Sequence, residues 1–521
     1  MTKRSCHASM SVVDSDVLIV IVQYLASPDD VVSLLQAVPR TKLVAPLVAL
    51  QTLLTTSSAW ESKNWPQLCI EMKDDRYRPL ICAAAPAFPS IRIGDLHMLG
   101  SMLPGPSNSL DTQHAAIIAF AAEWGHKIES IDVTEWLDGG CIDVLTHVLH
   151  LCTGLASLTI NVDTEEINPS HFAAVVHAAS HARRIDVWTM DGSLSRCGDW
   201  RPIFGSWLAS GHATHLGLTD AFAADDDDDD DDDDDLEDFQ VKRFNDPNGF
   251  ARAMTAATSL TSLRLVRCDV LLQSLLDTDA SMRHITALHL DTSRRDVVEW
   301  LLSTKINLSG LRELGIGSDA QDDYSFVLAL LPRLVSLEKL SLEGCALRSV
   351  PNALPESPRH LKALALSLCV AMDDSTVFRL LDWASQSPCL QSITLERCTA
   401  VGRDATRVER LVRQWIGANV RDVTFDLCEF NAATVNALAA ALYGTRRALP
   451  FDLRLNCDKL RLTSFEVLLE TLATCTGVTF YGHVSIYIKQ HIRNHLRSLA
   501  TILGLHYVDN GISHFRLRSR V

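Results

Sequence analysis

The sequence has no apolar run long enough to cross a membrane. A bilayer span needs about 18 consecutive apolar residues, and the longest clean run near the start is Val17–Val22. Lys3 and Arg4 precede that run, as in a secretory signal, but Asp14 and Asp16 lie where a signal sequence is poor in acidic residues. We therefore expect a soluble cytoplasmic or nuclear protein with no membrane partner.

Closely paired cysteines are also missing. The 14 Cys residues are spread from Cys6 to Cys475 without a CxxC pair, so neither a zinc site nor a disulfide framework is indicated. The spacing of His147–Cys152 (HVLHLC) could suit a metal, but a ligand set would need further partners that nothing in the sequence locates. We predict reduced, buried cysteines, no metal site and no cofactor.

Basic residues are too few for a nucleic-acid partner. The 521 residues include 47 Lys plus Arg against 64 Asp plus Glu, which gives a formal net charge of −17. Eleven of the negative charges form one unbroken run, Asp225–Asp235, and removing them leaves −6 for the rest of the chain. A nucleic-acid binder carries a basic excess that neither half of this chain shows.

The common motifs of catalytic domains are absent as well. The sequence contains no GxxxxGK[ST] phosphate loop, no GxSxG elbow, no HExxH and no GxGxxG after a strand. We therefore predict that the protein is not an enzyme and has no catalytic residue.

What the sequence does contain is a repeat. Apolar residues at i, i+3 and i+5 recur every 24 to 31 residues, except for one step of 47 that contains the Asp run. The clearest copies all end in Cys: Leu260–Cys268, Leu337–Cys345, Leu361–Cys369, Leu390–Cys398 and Val420–Cys428. Weaker copies begin at Ile128, Leu155, Ala182, Ala213, Ile285, Leu311, Pro450 and Cys475. A fixed period of this length is typical of repeat architectures.

Each copy predicts a short strand, because alternation buries inward residues such as Leu263 and Leu265. Between copies, segments such as 375–383 and 433–442 have apolar residues at helical spacing. A single strand–helix unit cannot bury its apolar face, whereas stacked units share a continuous core. We therefore predict an α/β solenoid over residues 126–485, curved as a horseshoe with a parallel sheet on its concave side.

The Cys-ending copies resemble the cysteine-containing leucine-rich repeats of ubiquitin-ligase receptors and of relatives of ribonuclease inhibitor. In that family the residue at this position is a buried Asn or Cys that meets backbone groups in the turn after the strand. The resemblance implies a structural role, with no redox or metal chemistry, for the five thiols at that position, which are Cys268, Cys345, Cys369, Cys398 and Cys428.

The chain before the repeats predicts two helices. Residues 16–25 place four apolar side chains on one helical face, with Asp14 or Ser15 available as the cap: Leu18, Ile21, Val22 and Leu25. Ser27 can cap a second helix whose first turn holds Pro28 and which ends before Pro39. Its apolar stripe is Val31, Leu34, Leu35 and Val38.

This helical pair resembles an F-box, the short helical module that joins a substrate receptor to the Skp1 adaptor of a cullin–RING ubiquitin ligase. The matching positions are Asp16, Val17, Leu18, Ile21, Tyr24, Leu25, Pro28, Asp30, Val31, Leu34, Val38 and Arg40. Two departures are Val13-Asp14 in place of the family's opening Leu-Pro, and Pro39 where a small residue or Cys is usual.

The F-box resemblance implies a Skp1-like adaptor and a cullin complex as partners. It implies adaptor contacts through apolar residues that the module leaves uncovered, namely Leu18, Ile21, Leu25, Pro28 and Val31, whereas Leu34 is expected to be internal. The alternative is that the same helices only cap the first repeat, as every solenoid requires.

These features divide the chain into four parts. Residues 1–59 form a small all-α, F-box-like module, and residues 60–125 form the join to the solenoid, with Ser90–Gly94 as a degenerate first repeat. Residues 126–485 form the solenoid, interrupted by an acidic insertion at 223–248, and residues 486–521 supply a helix and a tail.

The Asp run predicts a mobile loop, because like charges repel and Asp is a poor former of helices and strands. The loop is either a tolerated insertion or a segment that captures a basic partner. No Gly or Glu is spaced as in a calcium loop, so calcium binding is not favoured.

Substrate contacts are expected on the concave sheet, at positions that alternate with the buried ones. By phase these are Arg264, His289, Lys339, Glu343, Glu396, Asp422, Asp426, Arg454 and Tyr481. Carboxylates predominate in the later repeats, which would complement a basic segment of a partner.

Two functions remain open at this point. The resemblance implies a substrate-recognition subunit of a Skp1–cullin–F-box type ubiquitin ligase that binds a protein substrate through its repeats. The alternative is a leucine-rich repeat scaffold with no ubiquitin role.

Overall fold

The computed structural model describes most of the chain. The described residues are 15–25, 27–56, 65–70, 78–96, 99–100, 103, 110–134, 141–162, 168–189, 200–220, 246–318, 322–348, 358–368, 374–418, 420–457, 460–483, 490–509 and 514–519. The chain divides into two compact units, which are Met1–Met190 with Pro202–His212, and Asp191–Arg201 with Ala213–Val521.

The first unit starts with helices and continues as alternating strands and helices. Its helices are α1 (Ser15–Tyr24), α2 (Pro28–Ala37), α3 (Ala45–Thr55), α4 (Arg78–Ala84), α5 (Leu110–Trp124), α6 (Ile142–Leu151), α7 (Pro169–Ala178) and α8 (Arg201–Ala209). Its strands are β1 (Gln67–Ile70), β2 (Ser90–Ile93), β3 (Ile128–Thr134), β4 (Ser157–Val162) and β5 (Arg184–Thr189).

The five strands of the first unit pair in parallel in chain order. The sheet therefore starts before residue 126, because β1 and β2 occupy the segment that we assigned to the join. The predicted repeat at Ser90–Gly94 is β2, where Ile91 and Ile93 are fully buried. The strand β1 was not predicted, since QLCI has only two inward positions, Leu68 and Ile70, to signal it.

The second unit repeats the same strand–helix order. Its helices are α9 (Pro247–Ala256), α10 (Asp269–Asp277), α11 (Arg295–Thr304), α12 (Ser325–Leu330), α13 (Asp374–Ala384), α14 (Thr399–Arg403), α15 (Ala405–Gly417), α16 (Ala432–Leu442), α17 (Leu462–Leu472) and α18 (Gln490–Ile502). Its strands are β6 (His215–Thr219), β7 (Ser262–Val266), β8 (Ala287–Asp291), β9 (Glu313–Gly317), β10 (Lys339–Glu343), β11 (Ala363–Ser367), β12 (Ser392–Glu396), β13 (Asp422–Asp426), β14 (Arg446–Asn456), β15 (Thr476–His483), β16 (His506–Asp509) and β17 (His514–Arg518).

Strands β6 to β15 pair in parallel, each with the next along the chain. Every predicted repeat thus carries a strand, which confirms the α/β repeat. The predicted helical segments 375–383 and 433–442 lie within α13 and α16.

The carboxyl-terminal segment differs from the predicted helix and tail. After α18 the chain forms a β-hairpin, in which β17 pairs antiparallel with β15 and β16 pairs antiparallel with β17. Phe515 and Leu517 of β17 are buried. The hairpin covers the edge of the last repeat strand, which would otherwise leave its backbone groups and apolar face open.

The core of each repeat lies under its strand. Leu263 and Leu265 of β7 are buried as predicted, and Leu340 and Leu342 of β10 are fully buried. These residues alternate with half-buried or exposed ones such as Arg264. We call the side of the second unit's sheet that carries these alternate residues its outer face.

Four of the repeat cysteines occupy equivalent positions after a strand. The four thiols of Cys268, Cys345, Cys398 and Cys428 are buried. Each donates to a backbone carbonyl in the strand of the preceding repeat, at 3.5 Å, 3.6 Å, 3.5 Å and 3.2 Å respectively. The predicted burial of these four thiols and their contact with backbone groups are therefore confirmed. The fifth, Cys369, lies outside the described residues.

The residue before each of these cysteines adopts a left-handed backbone. The φ angle is 50° at Arg267, 64° at Gly344, 51° at Arg397 and 51° at Leu427. This geometry turns each N–H toward the next strand, so that Arg397 donates to the carbonyl of Asp426 at 2.7 Å. The backbone turn and the thiol together link each repeat to the repeats on both sides.

The acidic insertion is described only at its end. Asp225–Asp235 lies outside the described residues, and the predicted loop to residue 248 is too long, because α9 starts at Pro247. The Asp246 carboxylate accepts from the backbone N–H of Gly249 at 2.6 Å and caps this helix. No described helix is long and apolar enough to cross a membrane.

Candidate interaction surfaces

The first candidate surface belongs to the three helices α1 to α3. The predicted cap of α2 is confirmed, since the Ser27 hydroxyl accepts from the backbone N–H of Asp29 and Pro28 occupies the first turn. Helix α2 packs on α3, and both α1 and α3 pack on the 3-10 helix Ala85–Ala87. The buried apolar side chains of the three helices, which we call the helical core, are Leu18, Val22, Val31, Leu35, Leu47, Leu50 and Leu53.

Polar contacts attach these helices to the first strands of the same unit. The indole N–H of Trp65 donates to the carbonyl of Leu25 at 2.7 Å, and the Gln23 amide donates to the carbonyl of Phe88 at 3.4 Å. The Trp65 and Phe88 rings pack with centroids 5.5 Å apart. The carboxyl end of α1 is therefore held against the segment that leads into β2.

The structure corrects the predicted adaptor contacts. Leu18 and Val31 are buried inside the helical core, so the expectation that they are uncovered is wrong. Leu34, expected to be internal, is half-buried, as are Leu25 and Pro28. The cause is helical phase, because Val31 and Leu35 lie one turn apart and both face the core.

A different face of α1 is open. The residues Val17, Val20, Ile21 and Tyr24 have relative solvent exposures of 50%, 50%, 41% and 86%. Their i, i+3, i+4, i+7 spacing places them on one side of the helix. We call these four residues the outer stripe of α1. Contiguous exposed apolar surface of this kind marks an interaction site more often than scattered single residues do.

The second candidate surface is the outer face of the second unit's sheet. The predicted contact residues all lie there, on β7 to β15, and none is buried: Arg264, His289, Lys339, Glu343, Glu396, Asp422, Asp426, Arg454 and Tyr481. Adjacent strands are about 4.8 Å apart. Arg264 and Tyr481 are therefore about 38 Å apart across eight strand spacings, and the nine residues do not form one pocket.

Strand register sorts the nine residues into three rows that run across the strands. Lys339 and Asp422 lie in the first row. The middle row contains Arg264, His289, Arg454 and Tyr481. The third row contains Glu343, Glu396 and Asp426. The middle row is cationic or aromatic at both ends, whereas the third row is acidic.

The acidic positions influence one another. Burial and then the charge of Asp452 raise the pKa of the Asp422 carboxyl, and burial and then Glu396 raise the pKa of Asp426. The Asn456 amide donates to Asp426 at 2.5 Å. These carboxylates are polar surface groups in mutual repulsion, with no arrangement typical of acid–base catalysis.

His289 is neutral at physiological pH. Burial, and then the charges of Arg264 and Lys339, lower the pKa of its imidazole to about 4. The ring lies over β9, where a side chain at Gly315 would have its Cβ 2.1 Å from the His289 Nδ1 atom. Glycine at position 315 is therefore required for this packing.

Three middle-row side chains form a compact group at the carboxyl-terminal end of the sheet. Arg454 of β14 pairs in register with Tyr481 of β15, and Tyr481 pairs with Arg516 of β17. The guanidinium carbons of Arg454 and Arg516 lie 5.2 Å and 5.5 Å from the centroid of the Tyr481 ring. We call these three residues the Arg–Tyr–Arg row.

Sequence reasoning missed Arg516, which lies beyond the predicted solenoid. The available signal was the alternation in His514–Arg518 (HFRLR), where the apolar Phe515 and Leu517 alternate with polar residues. Among the described residues, no group of three or more His, Cys, Asp or Glu side chains is arranged to hold a metal ion. Cys152, at the end of HVLHLC, is buried, and burial raises its pKa to about 12.

Comparison with known proteins finds similarity to solved structures but none to a protein family or a curated protein. No protein-family model matches the chain, and no curated protein matches it. The solved structures that are similar include a chain from the crystal structure of the Rad7 and Elc1 complex in yeast, at 10% sequence identity with a TM-score of 0.32. The match covers 93% of this chain and 85% of that chain. At this score the similarity is distant.

Proposed function

We propose that the chain is the substrate-recognition subunit of a Skp1–cullin–F-box type ubiquitin ligase. The helices α1 to α3 bind a Skp1-like adaptor, and the outer face of the second unit's sheet binds a protein substrate. No residue of this chain performs chemistry. The receptor raises the local concentration of the substrate beside a separate conjugating enzyme, which is an effective-concentration effect.

The observation that carries the proposal is the exposed outer stripe of α1. An F-box keeps part of its apolar surface uncovered until an adaptor binds, and the sequence of these helices resembles that module. Burial of an aliphatic side chain of this size contributes about 1.5–3 kcal/mol. Coverage of Val20, Ile21 and Tyr24 would therefore supply a large share of the affinity for an adaptor.

The test is binding of the full chain to purified Skp1 by calorimetry. We expect a complex at micromolar concentration or tighter, and we expect Ile21→Asp combined with Tyr24→Asp to weaken it about 100-fold or more, because two apolar contacts are lost. Ile502→Asp is the matched control, since Ile502 is also on a helix and is 77% exposed. No detectable complex with the unsubstituted chain would refute the proposal.

A scaffold without a ubiquitin role is the second candidate function. It is favoured by the contacts of Trp65 with Leu25 and of Gln23 with Phe88, because a solenoid cap must be attached to the first strands in this way. A cap, however, has no need of an exposed apolar stripe. If the double substitution in α1 left every measured interaction unchanged, the helices would be a cap and the chain a scaffold.

A further inference from the structure

The Arg–Tyr–Arg row has hydrogen-bonding capacity that the fold does not use. Neither Arg454 nor Arg516 has a carboxylate within ion-pair distance among the described residues. Elsewhere in the second unit such pairs are common, for example Arg267 with Asp220 at 2.6 Å and Arg410 with Asp382 at 2.8 Å.

One hydrogen-bond donor of the row is buried without a partner. The Nε atom of Arg516 is inaccessible to solvent and has no hydrogen-bond partner in the described part of the chain. A buried donor without a partner costs free energy, and charged groups cost the most. Arg454 is exposed at the other end of the row, so the site is accessible from the outer face of the sheet.

The carboxylate that contacts the row is Asp452, and it meets the tyrosine rather than either arginine. Asp452 lies in the neighbouring row, and the Tyr481 hydroxyl donates to its Oδ2 atom at 3.4 Å. Burial and then Asp452 raise the pKa of the Tyr481 phenol, so it stays protonated and donates. The two guanidinium groups approach the same ring from the strands on either side of it, where like charges repel unless an anion lies between them.

We propose that Arg454 and Arg516 bind an oxyanion carried by a side chain of a partner protein, with the Tyr481 ring as the platform between them. Guanidinium groups present their donors in a planar fork that matches carboxylate and phosphate oxygens. The ligand chemistry is therefore that of a phosphorylated or an acidic residue. This inference rests on the proposed function in that it names the substrate class, but the site requires no adaptor.

The acidic positions are a separate surface, and the basic partner segment that they favour stays a prediction. Glu343, Glu396 and Asp426 lie in the third row and make no ion pair among the described residues, but repulsion between them is relieved by the raised pKa of Asp426 and by its bond to Asn456. The Asp422 carboxylate attracts Arg454 without forming an ion pair, but Arg454 and Arg516 cannot relieve their own repulsion by losing a proton, because arginine stays charged in proteins.

The experiment is fluorescence anisotropy with the full chain in the absence of adaptor. The probes are three labelled peptides, Gly-Ala-Gly-X-Gly-Ala-Gly, in which X is phosphoserine, Glu or Ser. We expect saturable binding of the phosphoserine or the Glu peptide and none of the Ser peptide. Tighter binding of the phosphoserine peptide would assign the site to phosphate, and tighter binding of the Glu peptide would assign it to carboxylate.

Substitutions locate the binding. Arg454→Gln should weaken it about 10-fold or more, because one charge-assisted donor set is lost, and Arg516→Gln should do the same. Arg252→Gln, which removes an exposed charge from α9, is the matched control and should change nothing. Arg454 is exposed, so its variant folds even where Arg516→Gln does not, and a thermal melt checks both.

Three results would overturn the inference. The first is binding of the Ser peptide as tight as that of the phosphoserine or Glu peptide. The second is an affinity for the bound peptide that Arg454→Gln leaves unchanged. The third is no binding of any peptide at millimolar concentration. Packing of arginine on tyrosine alone would instead appear as lower stability of the variants with no effect on the peptides. Because no adaptor is present, failure here leaves the adaptor test unaffected, and failure of the adaptor test leaves this one intact.

Discussion

The helices α1 and α16 are both apolar on nearly all sides, yet they differ in what they cover. In α16 seven of the eleven residues are buried, and the helix packs between α15 and α17. In α1, of the residues 16–24 whose burial is described, Leu18 and Val22 are buried and four large apolar residues are exposed. The comparison shows that neighbouring elements decide which apolar side chains are buried, and that α1 retains an exposed apolar face.

The largest expected effect comes from placing a charge on each helix. Leu438→Asp should lower the free energy of unfolding of the second unit by about 4 kcal/mol or more, because Leu438 is fully buried and Asp would lack a partner there. Val20→Asp in α1 should change stability by only about 0.5 kcal/mol. Urea unfolding followed by circular dichroism compares the two, and equal losses would show that the outer stripe is part of a core.

A cavity in a repeat should have the next largest effect. Leu340→Ala removes a fully buried side chain from β10 and should cost about 2–5 kcal/mol. Ser341→Ala, on the outer face of the same strand, is the control and should cost no more than about 0.5 kcal/mol. A loss of similar size at both positions in urea unfolding would contradict the assignment of inward and outward residues.

The buried thiols make the stability of the second unit depend on pH. Burial raises the pKa of Cys345 to about 12, so its neutral form is favoured in the folded state. The stabilisation from this shift is complete below the pKa of the unfolded thiol, about 8.5, and is lost as pH rises toward 12. Unfolding free energy should therefore fall over that interval, and Cys345→Ala should flatten the decline.

Thiol labelling under native conditions provides the second measurement. Cys345 and Cys428 should react far more slowly than the partly exposed Cys389, and all three should react alike in denaturant. Native labelling of Cys345 at the denatured rate would exclude the buried thiol positions described above.

The smallest expected effect is that of the acidic run. Deletion of Asp225–Asp235 should change the thermal midpoint by less than about 2 °C, since a solvated insertion contributes no core. Calorimetry of the deletion variant checks this. A decrease of many degrees would show that the run packs against or binds a structural element.

Much of the repeat fold could be predicted because its signals are local. The i, i+3, i+5 pattern places leucines such as Leu263 and Leu265 within one strand, and the cysteine that follows marks the turn. The limits of the array could not be predicted in the same way. The strand β1 is short, and β17 depends on an antiparallel partner that is distant in the chain.

The candidate surfaces were less predictable for a physical reason. When a helix is apolar on all sides, its sequence does not show which side faces the core. The sequence of α1 therefore could not distinguish the buried Leu18 from the exposed Val20. Strand phase, by contrast, correctly placed Arg454 and Tyr481 on the outer face. Their neighbour Arg516 joins them only through the hairpin pairing, which no local pattern specifies.

The most direct test of the central claim is hydrogen exchange across residues 15–25 of the full chain, with and without a saturating concentration of Skp1. We expect slower exchange in α1 when the adaptor is present, because a bound partner covers the outer stripe, and unchanged exchange in β7 to β15. Identical exchange in α1 under both conditions would contradict the assignment of these helices as the adaptor-binding module.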